Sequence, residues 1–279
     1  MKKGLTAFLA LFLAVFLTAC GSGEATNNTD DSVGDKAEDK VITVASQAPP
    51  MTDVVKVAAK VAEKDGWEIK LVQVNDNVAY NDMVSSGEAD ASFAQHKPFM
   101  EQYNEANDTN LVAIQPIYDA KVGFYSKDYT AVDDIPNGTT VAIPNDPSNQ
   151  GRALAILAEQ NLITLADGVT DSGTIKDVVD NPKEFKWLEV DLLNLAEAYS
   201  EPDVSLVYNY PTYIAKMGLK PSDALFLEQK VDQRFSIQLV AREDNQDSDK
   251  IKALKEAMTS DDVKSFLEDE HGDTLIPSF

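Results

Sequence analysis

Beyond residue 40 the apolar positions of this chain fall into alternating strand-like and helix-like runs. Residues 41–45 form a short β-branched run. Val54, Val57, Ala58 and Val61 then recur at helical spacing, with Thr52 and Asp53 as expected caps and Gly66 as the stop. Residues 69–74 alternate with period two as a strand, 79–86 read as helix, 91–94 as a short buried strand, 97–107 as helix and 111–117 as strand. Further strands are expected at 122–125 and 141–143, and a turn over 144–148 feeds a helix from Asn149 to about Gln160. Strands at 187–190 and 205–208 flank a helix near 194–199, a strand follows at 235–241, and helices at 249–258 and 261–267 finish the chain. This βαβα rhythm predicts an α/β fold with a mostly parallel sheet covered by helices.

The first twenty residues follow a different pattern. Lys2 and Lys3 precede an apolar run from Leu5 to Phe16 that ends in Leu17-Thr18-Ala19-Cys20. A lipoprotein signal peptidase reads this order of positive start, apolar stretch and small residues before a cysteine. The expectation is a signal peptide over 1–19, cleavage before Cys20 and lipid attached there. A plain transmembrane anchor is the alternative, but the stretch of about sixteen residues from Leu5 to Cys20 falls short of the roughly twenty that a span needs. Residues 20–40 hold Cys20 and a segment of Gly, Ser, Thr, Asn and charged residues whose one large aliphatic residue is Val33. Such a composition reads as a disordered tether with a root-mean-square reach of about 25 Å.

Charge and cysteine content narrow the function classes. The chain carries 47 acidic against 24 basic residues, a net charge of −23. Binding nucleic acid relies on neutralising phosphates with Lys and Arg, so nucleic acid is not expected as a partner. The same charge repels anionic lipid, which leaves the acyl chains as the membrane link. Cys20 is the single cysteine, so no intramolecular disulfide and no thiolate metal cluster can form, and neither metal nor cofactor is expected. Hydrophobic residues at 43% support real cores, and about 240 residues after the tether suit two lobes of ordinary size.

Two segments carry candidate chemistry. In Ala91-Ser92-Phe93-Ala94-Gln95-His96-Lys97 a buried strand runs straight into polar residues, and ligands of open α/β sheets bind beyond the carboxyl ends of strands. Gln95 and His96 are therefore placed to face a crevice, although a lone histidine is more often a satisfied structural or surface group. In Asp146-Pro147-Ser148-Asn149-Gln150-Gly151-Arg152 a turn feeds a helix start with free backbone amides, and a guanidinium follows one turn inside. That arrangement suits a carboxylate, gripped by two hydrogen bonds from Arg152; a salt bridge to one of many acidic neighbours is the competing reading. Only Arg152, Arg234 and Arg242 are arginines.

These motifs, together with VAIPNDPSNQGRAL, DVVDNPK and LVAREDN, resemble the methionine-binding lipoprotein family often called MetQ or NlpA, and the resemblance spans 41–279. It implies a two-lobed type II periplasmic-binding-protein fold that closes over one amino acid and hands it to an ABC importer permease. Arg152 would then hold the substrate carboxylate, with Asn149 and His96 in the pocket. Asn209 would hold the substrate amino group, provided one residue is inserted in Tyr208-Asn209-Tyr210-Pro211. The chain departs from the family at Asn77, Ala94 and at Ala120-Lys121, the side-chain end of the implied pocket, and Tyr80, Tyr118 or Tyr210 could refill that space.

The expected organisation is a first lobe of 41–118 plus 236–279 and a second of 119–235. No nucleophile motif or acid–base constellation accompanies the two histidines, so an enzyme is not expected. A surface adhesion role would call for an exposed aromatic patch, yet most aromatics sit within periodic core segments. The resulting expectation is a lipid-anchored, extracytoplasmic binding protein for L-methionine. A different amino acid or a short methionine-containing peptide is the alternative ligand.

Overall fold

In the computed structural model, which describes residues 39–272 and 274–279, the apolar runs become two sheets with helices on their faces. The chain begins with β1 (Val41–Ser46), α1 (Met51–Ala62), β2 (Glu68–Gln73), α2 (Ala79–Ser86), β3 (Ala91–His96), α3 (Lys97–Asn107) and β4 (Leu111–Ala120). It continues through β5 (Gly123–Tyr125), β6 (Thr140–Pro144), α4 (Pro147–Glu159), β7 (Thr164–Leu165), β8 (Val178–Asp180), β9 (Lys186–Val190), α5 (Leu195–Ala198), β10 (Leu206–Asn209), α6 (Pro211–Ile214) and β11 (Phe226–Leu227). It returns with β12 (Ile237–Arg242), α7 (Asp249–Met258), α8 (Asp261–His271) and β13 (Leu275–Pro277). The expected leader, Cys20 and nearly all of the expected tether lie outside the described residues. Among the described residues no helix is long and apolar enough to cross a membrane.

One sheet has the order β13-β4-β12-β3-β1-β2 and the other β11-β5-β10-β6-β9, while β7 and β8 form a separate hairpin. The chain passes from the first sheet to the second between Ala120 and Gly123 and returns between Leu227 and Ile237, so each sheet anchors a lobe. Most strands of each sheet run one way, as expected from the sequence, with β12 and β13 reversed in the first sheet and β5 in the second. β1, β2 and β3 pair in parallel, but β12 is antiparallel to both β3 and β4. A strand returning from the second lobe enters the first sheet from the end where β3 and β4 stop, so it must run against them.

Helix α1 illustrates how the apolar pattern is used. Met51, Val54, Val55, Ala58 and Ala62 are buried, and the helix packs on β2, α7 and α8. Full burial of each Val is worth about 1.5–3 kcal/mol, which holds the helix on its sheet. Thr52 and Asp53 do not cap it: the helix already begins at Met51, Pro50 occupies the cap position, and Asp53 lies in the first turn. A single 3₁₀ turn follows Ala62, and Gly66 ends it with φ of +80°, a conformation that favours glycine. Helix α4 likewise starts earlier than expected, at Pro147, because Asp146 serves as its cap.

Candidate functional site

The carboxyl end of β3, the last residues of β4 and the first of β12 face α4 and α6 across a cavity enclosing about 480 Å³ of space between atoms, its mouth included. The first lobe lines it with Asn77, Tyr80, Ala94, Gln95, His96, Tyr118 and Ala120. From the second come Asn149, Leu192, Tyr210, Thr212 and Tyr213, and Met51, Phe99 and Ile237 complete the wall. Among the described residues no side chain with a formal charge lines it. Nor, among them, does any cluster of three His, Cys, Asp or Glu suit a metal ion.

His96 closes β3 and opens α3. Its extended backbone lets the ring Nδ1 accept the Phe99 backbone N–H at 3.2 Å, so the imidazole is the helix cap. An Nδ1 that accepts carries no proton, which fixes the tautomer with hydrogen on Nε2. That Nε2 donates to Asn149 Oδ1 at 3.1 Å, across the cavity from the other lobe. Burial, reinforced by the nearby Arg152 charge, pushes His96 down to about 3, so the ring is neutral. Phe235 packs edge-on against it, with ring centroids 5.0 Å apart.

Helix α4 presents Asn149 because Asp146 and Pro147 start it there. Asp146 Oδ1 accepts the Asn149 backbone N–H at 2.9 Å, and both Asp146 oxygens accept from Asn149 Nδ2 at 3.0 Å. The amide is thereby oriented with Oδ1 towards His96 and towards Tyr210, whose hydroxyl donates to it at 2.8 Å. The free helix-start amides of the sequence reading are thus partly taken by Asp146. Arg152 is two turns from the cap, not one.

Arg152 lies behind this wall, 2% exposed, between the rings of Phe235 at 4.6 Å and Tyr210 at 5.5 Å. Its two-nitrogen fork goes to Glu228: Nε donates to Oε2 at 3.1 Å and Nη2 to Oε1 at 2.5 Å. Nη2 also donates to the Ala120 carbonyl at 3.2 Å, and Nη1 to the Tyr210 hydroxyl at 3.0 Å. The salt bridge to an acidic neighbour is therefore the arrangement present. Burial works against the Arg152 charge, but Tyr210, Tyr208 and Glu228 outweigh it and raise its pKa. Burial likewise raises the Glu228 carboxyl above its ordinary value, against the pull of Arg152. Glu228 Oε1 also accepts the Val122 backbone N–H at 3.0 Å, so among the described residues every hydrogen bond to this carboxyl group comes from an N–H donor, as suits a carboxylate.

A second bond crosses the lobes at the cavity rim. The Tyr213 hydroxyl on α6 donates to Gln47 Oε1 at 2.9 Å, and Gln47 Nε2 donates to Asn77 Oδ1 at 2.9 Å. Gln95 pairs with Asn81 through both amides. Burial raises the phenols of Tyr80 and Tyr118, so both are neutral. Neither hydroxyl has a hydrogen-bond partner among the described residues, which leaves both for an occupant of the cavity.

A protein-family model described as NlpA lipoprotein matches residues 42–279. This chain belongs to the NlpA lipoprotein family. Among its relatives, the D-methionine-binding lipoprotein MetQ of Escherichia coli K12 is 36% identical over 263 residues, 94% of this chain and 92% of that protein. A YaeC-family lipoprotein from Enterococcus faecalis has a solved structure with TM-score 0.78 and 48% identity, covering 86% of this chain and all of that one. A nutrient binding protein from Burkholderia cenocepacia, solved bound to methionine, has TM-score 0.81 and 32% identity, covering 85% of this chain and all of that one. As in other NlpA lipoproteins, the fold is the two-lobed α/β binding-protein architecture expected from the sequence.

Of the candidate ligand residues, Gln95, His96, Tyr80, Tyr118, Asn149 and Tyr210 line the cavity of this NlpA lipoprotein, whereas Arg152 and Asn209 do not. Asn209 is fully buried, its Oδ1 accepts the Tyr210 backbone N–H, and its Nδ2 has no partner among the described residues. Sequence reasoning missed Gln47, Tyr213 and Glu228. Tyr213 could have been found as an aromatic just inside the helix start at Pro211. Glu228 carries no local signal, since it meets Arg152 from 76 positions away.

Proposed function

We propose that this chain is the extracytoplasmic substrate-binding protein of an ABC importer and that its cavity takes L-methionine or a closely related amino acid. The observation that carries the reading is a buried cavity walled by both lobes, with aromatic and neutral polar side chains, in a member of the NlpA lipoprotein family. Such a wall suits a small ligand with an apolar side chain and a polar end. The free hydroxyls of Tyr80 and Tyr118, with Gln95, His96, Asn149 and Tyr210, are the groups assigned to the ligand. Arg152 acts from one layer behind through Tyr210 and Asn149, and Asn209 positions the Tyr210 backbone. A ligand touching both lobes stabilises their closed arrangement by its higher affinity for it, and that closed form is what a permease would receive. Lipid on Cys20 would hold the body at the membrane, with residues 20–40 as tether.

Mass spectrometry of small molecules released on denaturing the purified protein tests the ligand class. A thermal-shift panel of amino acids and methionine-containing dipeptides then ranks them. Release of methionine or a relative, with matching stabilisation, is the expected result. A folded protein that neither releases nor is stabilised by any amino acid or dipeptide overturns the reading. For the anchor, incorporation of a labelled fatty acid is expected to vanish in Cys20→Ser; equal labelling would put the lipid elsewhere.

A further inference from the structure

From the buried pair behind the cavity we infer that Glu228 is a specificity-determining residue: by cancelling the Arg152 charge it makes the site select a ligand with no net charge. This rests on the amino-acid reading above, since a free amino acid is a zwitterion.

The cavity wall itself is uncharged among the described residues. One layer behind it sits Arg152, joined to the wall at two points, the Ala120 carbonyl and the Tyr210 hydroxyl. Alone, that guanidinium would impose a positive potential on the cavity, poorly screened because Arg152 is only 2% exposed. An anion would then be favoured over a zwitterion and a cation rejected. Glu228, 6% exposed and holding the fork of Arg152, removes that bias. It takes Nε and Nη2 and leaves Nη1 to the Tyr210 hydroxyl. The remaining charge in the same hydrogen-bonded array is Asp146, which rests on the first amides of α4, where the helix dipole offsets it. Within that array Glu228 is therefore the residue that balances Arg152.

The test is calorimetric titration of the full-length protein and its Glu228→Gln variant at pH 6 with three probes: L-methionine, the anion N-acetyl-L-methionine and the cation L-methionine methyl ester. Gln keeps the shape and one acceptor but removes the charge. Comparing the ratio of cation to anion dissociation constants between the two proteins cancels the differing sizes of the probes. That ratio is expected to rise by about tenfold or more in Glu228→Gln, as expected for losing one poorly screened charge. The double variant Arg152→Gln/Glu228→Gln, which removes both charges and leaves no buried carboxyl unpaired, is expected to keep the wild-type ratio and supplies the test if the first variant does not fold; a folded double variant with a shifted ratio overturns the inference. A folded Glu228→Gln with an unchanged ratio overturns this inference and leaves the amino-acid reading standing. A wild-type protein that binds none of the three probes overturns both.

Discussion

His96 shows how one side chain can serve a helix, an interface and a cavity at once. Its Nδ1 caps α3, a role that requires the neutral ring, while its Nε2–H reaches Asn149 on the other lobe. Its pKa of about 3 in the folded chain lies well below the ordinary value near 6.5, so between these values the unfolded chain binds the extra proton. The contribution is fully present above about pH 6.5 and is lost as the pH falls towards 3, at up to about 1.4 kcal/mol per pH unit. His96→Gln, which keeps an acceptor and a donor, removes this dependence. Denaturant unfolding at pH 6.5 and 4.5 is expected to show the wild type losing roughly 2–3 kcal/mol more than the variant; equal losses would mean that His96 is not held neutral. His96 was legible in the sequence because a polar residue ends a buried strand. Glu228 was not, because its reason for being buried is an arginine far away along the chain.

Elements with a local cause were the legible ones. Residues 79–86, 97–107 and 249–258 became helices at those bounds, since periodicity and terminal residues define them without reference to the rest of the molecule. The strands β7, β8, β11 and β13 have two or three residues each and exist because a partner pairs with them, which no local pattern announces. Helix α4 depends on both kinds of cause. Asp146 and Pro147 start it, while Gly151, between Asn149 and Arg152, lets it approach the loop at Asp171 so closely that a Cβ would lie 2.3 Å from that carbonyl oxygen. Ala is the better helix former by about 1 kcal/mol, but overpacking against backbone costs about 1–3 kcal/mol and moves the helix. Gly151→Ala is therefore expected to lower stability in denaturant titration and to weaken ligand binding, because Asn149 and Arg152 move with the helix. A variant as stable as the wild type, with unchanged affinity, would show that the loop yields freely.

At the scale of the molecule, the lobes, which the chain connects at residues 121–122 and 228–236, are joined away from those connections by His96 to Asn149 and by Tyr213 to Gln47. Arg152 and Glu228 fasten those two connections to each other, through the Ala120 carbonyl, the Val122 N–H and α4. The crossovers are therefore held as a unit, and opening of the lobes would act on the bonds at the rim. Of these, Tyr213 to Gln47 is the cleaner to test. Tyr213→Phe keeps the ring against Tyr210 and leaves the buried Gln47 oxygen without its donor only while the lobes are closed. When the lobes part, water replaces the lost partner, so the penalty falls on the closed form alone. A penalty of about 1–2 kcal/mol for an unsatisfied buried acceptor converts to about 5- to 30-fold weaker binding. The loss is expected in the dissociation rate, with association nearly unchanged, because the bond forms only after the ligand has entered. Stopped-flow fluorescence with methionine, followed by the same measurement on Tyr213→Phe, separates the two rates. An unchanged dissociation rate would mean that the lobes do not need this bond to stay closed, and would leave His96 to Asn149 as the contact that keeps them so.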